Sequence, residues 1–235
     1  MELLIAMFLG LFTAYVIIKF VKKGIGLLFG IGIAIGMILL FVGFLVITDA
    51  LDFRDNFSNS KSIFILADED GYMTGVVLNF NDLDRGVEPY EDLDDITENK
   101  APDGYYKVFI LTKEMLKNSN ISDIDIGVAD LTKEKLIDIL YSEAPSELIA
   151  AETMGIEARE IEDIWGDNDR LRRDLFTYIL VDVFGRDPMT LIYGVKNGNI
   201  IIYPESLMFK TIKYIPSSAF NQARWLLGER DESAG

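Results

Sequence analysis

Two acidic clusters offer the nearest approach to a reactive or ion-binding site. Between Asn81 and Gly104, the carboxylates of Asp82, Asp84, Glu88, Glu91, Asp92, Asp94, Asp95, Glu98 and Asp103 face only Arg85 and Lys100. Hard cations such as Ca²⁺ gather roughly six to eight oxygen ligands, carboxylates prominent among them. Asp92, Asp94 and Asp95 are therefore the candidate calcium ligands. The segment lacks the D-x-[DN]-x-[DN]-G order of an EF-hand loop, and self-repulsion favours an open, solvated and mobile loop. The second cluster, Asp167-Asn168-Asp169 followed by Arg170, Arg172 and Arg173, resembles a metal loop beside an anion site. Helix chemistry accounts for it more simply, with acidic and amide residues capping a helix start and arginines pairing along its solvent face.

The residues that are absent restrict the chemistry further. The chain has neither Cys nor His. This removes Ser-His-Asp triads, thiolate nucleophiles, His- or Cys-ligated zinc, haem ligation through those side chains and cysteine-bound iron–sulfur clusters. Disulfides are excluded as well. There is no G-x-S-x-G, Walker A, dinucleotide fingerprint or H-E-x-x-H motif. No catalytic or cofactor-binding residue is assigned, and no cofactor is expected. A hydrolase would have to work with two carboxylates about 5–10 Å apart in a cleft. Two N-glycosylation sequons occur, Asn56-Phe57-Ser58 and Asn120-Ile121-Ser122.

The elements that must carry these residues divide the chain near residue 49. Of 22 basic and 38 acidic residues, only Lys19, Lys22, Lys23 and Glu2 precede that point, which leaves 19 and 37 and a net charge of −18 beyond it. Such a surface repels phosphate backbones, so nucleic acid is not an expected partner. The first 48 residues contain two uncharged runs. One is uncharged from Leu3 to Ile18 and belongs to a span ending near Val21, with Lys19 able to snorkel, and the other extends from Gly24 to Thr48. Each is long enough to cross a bilayer core of about 30 Å. With Lys22-Lys23 between them, they are expected to form a transmembrane helical hairpin over residues 1–48. A cleaved signal peptide would place positive charge before its apolar run, whereas here the lysines follow. The positive-inside rule keeps those lysines in the cytoplasm. The expected location is thus the cell membrane, with two spans and the soluble part outside the cytoplasm.

Small residues recur along both runs. Ala6, Gly10 and Ala14 in the first, and Gly32, Gly36 and Gly43 in the second, fall on stripes suited to close helix–helix approach. Gly26 and Gly30 lie on another face, open to a partner helix. Neither run has an ionisable residue at its middle, which argues against an ion path.

Residues 49–61 are polar and read as a stalk. A soluble α+β domain with an antiparallel or mixed sheet is expected over residues 62–235. Its strands are Ser62–Ala67 and Tyr72–Phe80 around a tight turn, then Tyr105–Leu111 and Ser122–Val128. Helices follow from Thr112, Thr132, Pro145, Ile156 and Asp167 or Asn168. Asn197-Gly198 suggests a second hairpin, with strands at Thr190–Val195 and Asn199–Tyr203, and helices at Pro204–Tyr214 and Ser217–Leu227 close the domain. Ser146–Trp165 has the outline of a helix-turn-helix, but Glu157, Glu160, Glu162 and Asp163 on its second helix would be repelled by DNA. Tyr203, Phe209, Tyr214, Phe220 and Trp225, near Lys210, Lys213 and Arg224, suit either a core or a headgroup layer.

The expected function is a membrane-anchored, non-catalytic binding or assembly subunit. Its expected partners are the lipid bilayer and either other membrane proteins or a second copy. The alternatives are a carboxylate-dependent hydrolase of cell-surface glycan and a channel or transporter accessory subunit.

Overall fold

The computed structural model describes residues 2–83, 87–97, 100–153 and 155–216; the side chains before Ile31, Lys19 excepted, and that of Asp95 lie outside the description. The chain divides into two units, Met1–Thr48 and Asp49–Gly235.

The first unit is helical throughout its described length. Helix α1 runs from Glu2 to Phe57 without a turn at Lys22-Lys23, so the expected two-helix hairpin is replaced by one continuous helix. The physical reason is local. Lysine is a good helix former, a lone glycine costs only about 1 kcal/mol, and no proline interrupts the stretch. Among the described residues there is one candidate span, beginning at Ile31 and long and apolar enough to cross a membrane. None of its most apolar window is buried by protein. Ile31, Ile33, Ile35, Met37, Leu40, Phe41, Phe44 and Ile47 are all exposed, on every side of the helix.

The second unit begins with the last turns of the same helix. Asp49 through Phe57, read from the sequence as a polar stalk, are helical, and Phe53 and Phe57 are buried. A five-stranded sheet follows, in the order β3 (Glu88–Pro89), β2 (Gly71–Leu78), β1 (Ser62–Asp68), β4 (Val108–Leu111) and β7 (Ile200–Tyr203). Strands β1 (Ser62–Asp68) and β2 (Gly71–Leu78) form the expected antiparallel hairpin, with a register shift at Leu66/Ala67. Strand β3 is only Glu88–Pro89, and its proline blunts that edge. Strand β4 (Val108–Leu111) pairs parallel to β1, while β7 (Ile200–Tyr203) pairs antiparallel to β4, which makes the sheet mixed.

Both faces of the sheet are covered, because alternate residues of β1 are apolar in both directions. On one face Phe64 stacks on Phe109 at 4.9 Å, and Phe57, Phe80 and Phe184 complete an aromatic cluster. On the other face Ile63, Ile65, Val77, Val108 and Ile110 lie under Tyr90, Leu93, Ile96, Ala101 and Tyr105. Four of these, Tyr90, Leu93, Ile96 and Ala101, come from the acidic segment expected to be a solvated loop, and Tyr105 directly follows it. They cover the sheet, and Glu91, Asp92, Asp94 and Asp103 between them are exposed to water.

Helices α2 (Lys113–Asn118), α3 (Lys133–Leu140), α4 (Pro145–Glu152), α5 (Ala158–Trp165) and α6 (Asn168–Arg186) match the expected positions. The expected strand Ser122–Val128 is reduced to a two-residue ladder, with β5 (Ile124–Asp125) against β6 (Asp130–Leu131). The second expected hairpin is absent. Met189–Lys196 is helix α7, and Gly198, at φ 77°, ends it rather than turning a hairpin. Asn-Gly signals a helix C-terminus as well as a β-turn, since both need a left-handed residue. Here Gly198 N–H and Asn199 N–H return to the carbonyls of Val195 and Gly194. Close packing also favours the helix: a Cβ on Gly194 would lie 2.5 Å from Ile200 Cδ1 and 2.8 Å from Met115 Sδ. Helix α8 (Leu207–Ile212) is the last described element; the expected helix Ser217–Leu227 lies outside the described residues.

Candidate functional site

Among the described residues one concavity, about 290 Å³, opens between two turns that sequence distance keeps apart. The β1–β2 turn supplies Asp68, Asp70 and Gly71, and β2 continues the wall with Tyr72 and Met73. Tyr141, Ser142 and Glu143 come from the end of α3, and Arg172 from α6.

Arg172 makes this geometry possible. It is buried, and its Nε and Nη2 donate to the carbonyls of Leu140 and Ser142 at 3.1 and 2.6 Å. The carbonyls at a helix end have no partner within the helix, and a forked guanidinium satisfies two at once. Its Nη1 also donates to Asp169 Oδ1 at 2.9 Å. With Asp167 accepting from Arg170 N–H at 2.8 Å and Arg170 near Asp174, the Asp167–Arg173 cluster serves helix capping and pairing.

Tyr141 ties the two walls together, its hydroxyl donating to the carbonyl of Ala67 at 3.2 Å. The ammonium of Lys113 lies 4.7 Å from its ring centroid. Burial, then the charges of Asp68 and Glu114, push this phenol well above its ordinary range, so it is a neutral donor at physiological pH. The cleft therefore offers aromatic walls and a carboxylate rim of Asp68, Asp70 and Glu143, with its one guanidinium already engaged. That arrangement suits a positively charged group.

A second concavity, about 260 Å³, lies within the acidic segment and is lined by Tyr90, Asp92, Thr97, Lys100, Ala101, Pro102 and Tyr105. The rings of Tyr90 and Tyr105 meet edge to face at 5.9 Å. Lys100 pairs with Asp103 at 2.7 Å and holds that carboxyl below its usual range.

Of the candidate calcium ligands, Asp92 precedes a single 3₁₀ turn, Leu93–Asp95, and both Asp92 and Asp94 are exposed. The side chain of Asp95 lies outside the described residues. Among the described residues, no group of three or more acidic side chains is placed to hold a metal ion. Gly32, Gly36 and Gly43 have nothing within 4 Å of an added Cβ, so this stripe is open. The side chains of Ala6, Gly10, Ala14, Gly26 and Gly30 lie outside the description.

Sequence reasoning missed a polar knot at the start of the second unit. Tyr106 donates to Asp52 Oδ2, Met208 N–H donates to Asp49 Oδ2, and the buried Lys107 donates to the carbonyl of Pro204 at 2.9 Å. Lys107 also lies 5.2 Å from the Tyr106 ring and 5.7 Å from that of Phe209. Burial pushes its ammonium down, with Asp52 and Asp49 opposing the shift. No local pattern announces this knot, because its members come from three separate stretches of chain. The same holds for Tyr72, Tyr141, Glu143 and Arg172 in the cleft.

Compared with known protein families, curated proteins and solved structures, the chain matches none.

Proposed function

We propose that this protein is a membrane-anchored binding or assembly subunit whose acidic α+β domain works outside the cytoplasm. One observation carries the reading: from Ile31 to Ile47 α1 is apolar on all sides and unburied. A helix that is hydrophobic all round needs an apolar medium, and lipid supplies one. Orientation is supported by charge. Lys19, Lys22 and Lys23 precede the span, while Asp49, Asp52 and Asp55 with one Arg54 follow it. The positive-inside rule keeps the lysines in the cytoplasm and sends the domain across. The open stripe of Gly32, Gly36 and Gly43 supports association with another membrane helix, in a partner or in a second copy. In the domain, the cleft ringed by Asp68, Asp70 and Glu143 is the place for a cationic group of the ligand.

The absence of native cysteine makes the test direct. A cysteine at Glu69, exposed in the β1–β2 turn, reacts in intact cells with a membrane-impermeant maleimide, and one at Gly24 reacts only after lysis. The reverse pattern overturns the orientation.

A second reading, a carboxylate-dependent hydrolase of surface glycan, draws support from the same cleft, where Asp68 and Asp70 share a cavity with Glu143 from a different element. Its test is glycan hydrolysis by the intact chain, abolished by Asp68→Asn or Glu143→Gln.

A further inference from the structure

Asp49 is the first residue of the soluble unit and directly follows Thr48 in the chain. Its Oδ2 accepts the backbone N–H of Met208 at 3.0 Å. One turn further on, the ring of Phe53 meets that of Phe209 edge-on at 5.1 Å. Helix α8 is therefore pinned, within the soluble unit, to the residue at which the apolar stretch ends. Tyr214 lies two residues past the end of α8, in the closing turn, its N–H donating to the Thr211 carbonyl at 3.0 Å.

What α8 presents there is unlike the rest of the domain. Tyr214 is 87% exposed, more than any other exposed large apolar or aromatic side chain among the described residues. Lys210 and Lys213 are exposed beside it, with Lys213 also paired to Glu205. From Pro188 to Pro216 the charged residues are Lys196, Lys210 and Lys213 against Glu205 alone, a basic stretch in a unit whose net charge is −18. Tyrosine places an apolar ring and a polar hydroxyl across the boundary between acyl chains and water, and lysine reaches from there to phosphate.

We propose that α8 and its closing turn form an interfacial foot, with Tyr214 seated in the phospholipid headgroup layer and Lys210 and Lys213 on lipid phosphates. The inference rests on the reading of α1 as a membrane anchor. It adds a second attachment, one that limits how freely the domain moves above the bilayer.

The test uses the full chain in nanodiscs of phosphatidylcholine and phosphatidylglycerol, with a nitroxide on a single cysteine at Tyr214 or, as an aqueous control, at Glu69. The label at 214 is expected to be severalfold less accessible to a water-soluble nickel chelate than the label at 69. Introducing Lys210→Glu with Lys213→Glu is expected to raise its accessibility towards the control while circular dichroism stays unchanged. Equal accessibility at both positions in lipid-embedded protein overturns the foot and leaves the anchor standing. Protection at 214 that survives the charge reversal overturns the role given to the lysines. A chain that does not enter the discs overturns anchor and foot together.

Discussion

The hydroxyl of Tyr106 donates to Oδ2 of Asp52 at 2.7 Å, across 54 residues of chain. This bond fastens the last turns of α1 to the approach to β4, while Phe53 and Phe57 from the same turns sit in the core. The α+β domain thus begins at Asp49. A fragment starting there is expected to fold, and one starting at Ser62 is expected to lose cooperative unfolding. Within the longer fragment, Phe57→Ala should cost about 3–5 kcal/mol and Tyr106→Phe about 1 kcal/mol, read from urea midpoints. Equal stability of the two fragments would restore the stalk.

Alkaline pH should weaken the domain. Tyr106 is raised above its ordinary value near 10, first by burial and then by its bond to Asp52. Tyr141 is raised by burial first and then by neighbouring carboxylates. The unfolded chain ionises both near that pH while the folded chain keeps them neutral. Their contribution is therefore complete below the unfolded value and declines as pH rises above it. Lys107 acts in the opposite sense, since the cost of burying its ammonium is relieved as pH climbs. With two tyrosines against one lysine, melting temperature should fall above pH 10, and Tyr106→Phe should flatten that limb. A melting temperature that rises there would assign control to Lys107.

The acidic segment should behave as packed structure and not as a calcium loop. A methyl group at Gly75 would meet Leu93 Cδ2 at 2.9 Å and the Tyr90 carbonyl oxygen at 3.0 Å. Gly75→Ala is therefore expected to destabilise by about 1–3 kcal/mol through overpacking. Millimolar Ca²⁺ should leave the melting temperature unchanged, because only an ion that binds the native state selectively stabilises it. A rise of several degrees that is lost with Asp94→Asn and Asp95→Asn together would establish a calcium site.

Arg172 should prove hard to replace. Its removal leaves the Leu140 and Ser142 carbonyls without their donor, at an expected cost of about 2–3 kcal/mol. Lysine at this position should recover little of that, since an ammonium cannot fork between two carbonyls. Chemical denaturation of Arg172→Ala beside Arg172→Lys checks both statements, and full rescue by lysine would show that charge alone matters there.

Features set by local chemistry were legible along the chain. The apolar run ending at Thr48, the helix starts after Thr112 and Thr132, the cap at Asp167 and the β1–β2 hairpin could all be read from short windows, because propensity, capping and turn geometry depend on near neighbours. Lys22-Lys23 misled for the same reason: charge between apolar runs signals a boundary in a membrane, yet nothing in those residues bends a helix. Asn197-Gly198 was ambiguous because one left-handed residue serves two structures, and only the fit of Gly194 against Ile200 and Met115 selects the helix. Tertiary structure alone decided that the acidic segment covers a sheet face and that Phe53 and Phe57 belong to the core. It also joined Asp68 to Glu143 across one cleft and set α8 against Asp49. Each of these depends on contacts between residues far apart in the chain, which form only when distant apolar surfaces are buried together, and neither composition nor periodicity records that partnership.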